Sequence, residues 1–74
     1  MSERKYEAHF VSKLTDADME NAETELWLDF ALACEYLSQA DYNELYAEAE
    51  EVGRMLAFMI EHPSKFLPVN DKNR

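Results

Sequence analysis

The sequence predicts an all-α fold, and three observations predict it. Both prolines, Pro63 and Pro68, lie near the C-terminus, so nothing from Met1 to His62 forbids helix. A single Gly in 74 residues leaves little turn chemistry for a many-stranded sheet. Apolar residues make up 47% of the chain, too many for a disordered acidic tail. The organisation that follows is a helical hairpin domain over residues 1–62 and a non-helical C-terminal tail over residues 63–74.

The first helix is expected over about residues 4–37, and its apolar stripe changes phase. Tyr6, Phe10, Leu14 and Ala17 share one face, whereas Met19, Ala22, Leu26, Phe30, Ala33 and Leu37 share another, rotated by more than a quarter turn. Two readings fit. Thr15 followed by Asp18 is a possible capping box at which the helix kinks or restarts; alternatively, the helix is continuous and buried on different sides along its length. Past residue 25, Leu28 and Leu32 lie on one side with Trp27 and Cys34 on the other, so this segment is apolar around most of its circumference.

The turn falls in Leu37-Ser38-Gln39-Ala40-Asp41, where Ser38 is the expected N-cap of a second helix and Asp41 completes a weak capping box. No Gly is present to end the first helix in its usual left-handed terminator. The second helix is expected over about residues 39–62. One arc of it collects Tyr42, Leu45, Tyr46, Ala49, Val52, Gly53, Leu56, Met59 and Ile60. Within the arc, Leu45, Ala49, Val52, Leu56 and Met59 follow the alternating spacing that seats knobs into the holes of a neighbouring helix. Gly53 should cost up to about 1 kcal/mol relative to Ala in that position, and its use there is to let another helix approach closely. Arg54 is within reach of Glu50 and Glu51, while Met55 and Phe58 project from the polar side as apolar spots left for a second interface.

A chain of 8.7 kDa hides too little surface to be very stable alone. Its single cysteine, Cys34, closes no internal disulfide, and no Cys/His cluster offers a structural metal, so self-association or a partner is the remaining support. The expectation is a hairpin that completes a four-helix bundle by self-association. Its core and oligomer interface are assigned to Leu26, Trp27, Phe30, Leu37, Leu45, Ala49, Val52, Gly53, Leu56, Met59 and Ile60.

Charge narrows the function classes. Sixteen acids against seven Lys and Arg give a net charge of -9, the wrong sign for direct binding to nucleic acid. Twelve of the acids lie between Lys13 and Arg54, a stretch with no Lys or Arg. Such a run serves as a solvated face, or as an acidic surface that occupies a basic site on another protein. No secretory leader or membrane-length apolar stretch is visible, so the chain is expected in the cytoplasm and away from membranes.

Catalytic and metal chemistry find little footing. Glu-x-x-His, which projects two ligands together into a bundle core, is absent; Glu7 and His9 diverge, and Glu61 and His62 sit at a helix end. The pairs Glu20/Glu23 and Glu48/Glu51 fall where solvent is expected. Cys34 lies in the apolar and acidic context ALACEYL, which favours a neutral, buried structural thiol. No P-loop, GxSxG or GxGxxG is present. The chain is therefore expected to be no enzyme and to hold no cofactor or metal.

Several runs resemble a known family: Glu23-Thr24-Glu25-Leu26-Trp27-Leu28, Tyr36-Leu37-Ser38, Tyr42-Asn43-Glu44-Leu45, and Glu50-Glu51-Val52-Gly53-Arg54-Met55-Leu56. They are similar to the C-terminal two helices of the bacterial four-helix bundle proteins, also called 23S rRNA intervening-sequence proteins, over about residues 10–60. The resemblance implies an antiparallel up-down bundle, ring-like homo-oligomers that are often pentamers, and no catalytic residues. The family's first two helices have no counterpart here, so a second copy in a two-fold dimer is the first expectation, with a pentamer the arrangement the family implies. The functional expectation is a non-enzymatic interaction or scaffold module; the alternative is an acidic inhibitor that binds a basic protein partner.

Overall fold

The computed structural model describes residues 2–67, with side chains described from Lys5 onward. Two helices form an antiparallel hairpin: α1 spans Ser2–Ala33 and α2 spans Gln39–Glu61, followed by a single 3-10 turn over Pro63–Lys65. Residues 68–74, the greater part of the expected tail, lie outside the described residues. The molecule is a rod of 54 × 16 × 15 Å, one pair of helices thick.

α1 runs without a break through the phase change. Thr15 donates its hydroxyl to the Val11 carbonyl at 2.9 Å, the bond of a threonine inside a helix, so it does not cap a new one. The continuous alternative therefore holds. The helix ends at Ala33, short of the expected Leu37, because the chain there enters a left-handed turn. Glu35 has φ 64°. Its N–H bonds to Leu32 O at 3.0 Å, and the Tyr36 N–H bonds to Ala31 O at 2.8 Å. This is a Schellman ending with Glu where glycine is favoured, at a cost on the order of 1 kcal/mol.

Ser38 caps α2 as expected. Its extended backbone lets the side chain accept from the Asp41 N–H at 3.0 Å, and Asp41 sits in the first turn where the helix dipole favours an acid. At the other end the His62 N–H bonds to Phe58 O at 3.0 Å, and Pro63 stops the helix. The 3-10 turn then folds Phe66 back against Phe58, edge to face with centroids 5.9 Å apart, while the His62 ring packs on Phe58 at 4.4 Å. Lys65 Nζ lies 5.5 Å from the Phe58 ring centroid.

The face of α1 turned toward α2 is Val11, Leu14, Asp18, Asn21, Glu25, Leu28 and Leu32, each at least half-buried, in alternating steps of three and four. The opposing face of α2 is Tyr42, Tyr46, Ala49, Gly53, Leu56 and Ile60. Of the expected knobs, Ala49, Leu56 and Met59 lie at this seam. Leu45 and Val52 do not: they remain 40% and 43% exposed at its edge. The reason is steric. α2 turns the small residues Ala49 and Gly53 toward Asn21, which bonds to the Ala49 carbonyl, and this rotation leaves Leu45 and Val52 out.

Almost nothing is fully covered. Among the described residues only Leu14, at 8% exposure, and Ala49, at 7%, are buried. Two helices alone supply each residue with neighbours on one side, and a buried core residue needs them all round.

Candidate functional site

The middle of the seam is polar. Asn21 donates to the Ala49 carbonyl at 2.8 Å, reaching across to the backbone of α2. Gly53 leaves room for that approach: a Cβ there would stand 3.3 Å from Asn21 Nδ2, so the amide would have to give by a few tenths of an ångström. Gly53 is half-buried, and the atom nearest to where its Cβ would stand belongs to an amide side chain. Nearer the turn, Tyr42 donates its hydroxyl to Asp29 at 2.5 Å. That bond, more than partial desolvation or the Asp29 charge, holds the Tyr42 phenol up at about 12 against its usual 10.0. The neighbouring Tyr46, whose ring lies 5.3 Å from that of Tyr42, is raised chiefly by the charge of Glu25. These cross-helix ties fix the register of the hairpin, Asp29 opposite Tyr42 and Asn21 opposite Ala49.

The large apolar side chains lie mostly on the other faces. On α1, Met19 is 62% exposed, Leu26 and Trp27 are each 67% exposed, and Phe30 is 57% exposed. The Trp27 and Phe30 rings meet edge to face at 6.2 Å, a preformed aromatic pair with no cover. On α2 the exposed set is Leu45, Val52, Met55 and Phe58, and Tyr36 stands out at the hairpin turn. Met55 and Phe58 are thus open, as the helical spacing led one to expect.

The residues assigned from sequence to the core and oligomer interface fall into two sets. Ala49, Gly53, Leu56, Met59 and Ile60 serve the seam within the hairpin, with Leu37 half-buried in the turn. Leu26, Trp27, Phe30, Leu45 and Val52 face outward. Cys34 corrects the expectation of a buried thiol: it is exposed, because α1 ends one residue before it and the turn carries it off the seam. Three residues that matter were missing from that assignment. Asn21 and Asp29 carry the register and Leu14 is the largest buried side chain, and the step of three and four running on from Val11 was the signal for Leu14 and Asn21.

The acids line the rod with little compensation. Arg54 forms an exposed ion pair with Glu51 at 2.6 Å, worth little energetically. The bond to Glu51 pushes the guanidinium further above its ordinary range. Among the described residues no three His, Cys, Asp or Glu side chains gather as a metal ion would need. No described helix is long and apolar enough to cross a membrane.

Fold and surface together define a class: an antiparallel helix pair with a thin polar seam and uncovered apolar faces. Within that class, the family model of the 23S rRNA-intervening sequence proteins matches residues 2–58, and the chain belongs to this family. No curated protein and no solved structure matches it.

Proposed function

We propose that this protein is a non-enzymatic interaction module that works by self-association, hairpins pairing to complete a four-helix bundle. One observation carries the reading: bulky apolar side chains stand open on both helices while, among the described residues, only Leu14 and Ala49 are buried. A face of that kind marks an interaction site in a stable protein. Pairing two hairpins would supply the missing side of each. The acidic surface suits a module that meets other proteins and keeps its assembly soluble, and disfavours direct contact with RNA phosphates.

Light scattering of the purified protein, joined to recovery of bound proteins from its host at low and high salt, tests the reading. A single oligomer without a salt-sensitive partner is expected. A monomer that captures a basic protein at low salt and releases it at high salt would favour the acidic inhibitor instead.

A further inference from the structure

The outer stripe of α1 has an internal symmetry. Met19, Ala22, Leu26, Phe30 and Ala33 are all exposed. At about 100° per residue they fall within about 40° of the Leu26 direction, roughly a third of a turn from the seam that faces α2. Their spacing, three-four-four-three, reads the same in both directions from Leu26. Large and small residues alternate about that centre: Phe30 is mirrored by Ala22, and Met19 by Ala33.

We propose that α1 docks on α1 of a second copy, antiparallel and two-fold symmetric about Leu26. In that register Leu26 meets Leu26 of the second copy, each Phe30 shares a layer with an Ala22, and each Met19 shares a layer with an Ala33. Large side chains fill the space left by small ones, which is what interdigitated packing requires. The arrangement is isologous, so one stripe serves both copies.

The area fits a stable dimer. At the exposures observed for Met19, Leu26 and Phe30, these side chains leave roughly 350 Å² of apolar surface open, and the exposed Ala22 and Ala33 extend it. Interfaces are about 56–65% apolar, so this corresponds to about 600 Å² per copy, the lower end of the standard size of a specific interface. The flanks carry Glu23 and Asp29 on both copies with no Lys or Arg between Leu14 and the end of α1. Their mutual repulsion is screened by salt, so the contact strengthens as salt rises.

This inference rests on the self-association reading, and cysteine cross-linking separates the two. In a Cys34→Ser background, Leu26→Cys is expected to cross-link to itself with a short bismaleimide. Met19→Cys and Ala33→Cys are each expected to fail alone, since like residues would lie about 21 Å apart, yet to cross-link when mixed. Leu26→Glu should weaken association at least tenfold, and Leu45→Glu much less. Far-UV circular dichroism at high protein concentration checks that each cysteine variant remains helical. An oligomer in which Met19→Cys links to itself, the mixture stays unlinked, or Leu26→Glu associates normally would overturn the α1 contact and leave self-association standing. A monomer at every concentration would overturn both.

Discussion

The two faces of α1 reverse the usual order of a protein. The face turned inward against α2 carries Asp18, Asn21 and Glu25 through its middle, whereas the outward face carries Met19, Leu26, Trp27 and Phe30. The inner face has a job of alignment: Asn21 reaches the Ala49 carbonyl on α2, and a slipped register would lose that bond. The outer face has no such ties and much more apolar area. Water opposes leaving that area open, and on the self-association proposed above a second copy covers it.

Substitutions on the inner face should separate its apolar ends from its polar centre. The largest effect is expected for Leu56→Asp, which places a charge at a half-buried position of the seam. Helicity and assembly should be lost together, at a cost of about 3 kcal/mol or more. A folded variant with an unchanged oligomer would show that the seam lies elsewhere.

Relief of backbone strain at the turn comes next. Glu35→Gly removes the penalty of a side chain at φ 64° and should stabilise the protein by about 1 kcal/mol, read as a higher melting temperature. No gain would mean that the left-handed ending is not formed in solution.

A double-mutant cycle between Asn21 and Gly53 should give a smaller, signed coupling. In the native chain Gly53→Ala gains up to about 1 kcal/mol of helix propensity but crowds the Asn21 amide, so little net change is expected. With Asn21→Ala in place the crowding is gone and the gain should appear in full. Additive values would dissolve the link between the two residues.

The smallest effect is in alkali. The Tyr42 phenol is raised in the folded chain, from 10.0 to about 12, by its bond to Asp29. A group raised on folding stabilises the native state fully below its unfolded value and loses that contribution as pH climbs through the folded one. Stability should therefore fall across pH 10 to 12, and Tyr42→Phe should remove that part of the fall. An identical alkaline profile in the variant would sever the tie.

The hairpin itself was legible in the residues, and the division of its faces only in part. The Ser38 cap and the proline stop are local events written in a few residues, so the boundaries of α2 could be read closely. The end of α1 was not, because a glutamate holds the left-handed position where glycine is the usual sign. The phase change along α1 was plain in its apolar spacing, and the kink it suggested is absent since Thr15 bonds within its own helix. What the spacing withheld was which stripe faces inward. The alternating spacing ran through Leu45 and Val52, but the bond from the Tyr42 hydroxyl to Asp29 and the small Gly53 beside Asn21 turn the Tyr42, Tyr46 and Gly53 side of the same arc toward α1.

The central claim is that a single hairpin is unfinished, and the dependence of melting on protein concentration tests it most directly. A folded state held together by a second copy becomes more stable by mass action as the protein is concentrated. Thermal melts followed by circular dichroism over a thousandfold range of dilution should show the midpoint rising steadily with concentration. A sharp, cooperative transition at one temperature throughout, from a species of single-chain mass, would contradict the account.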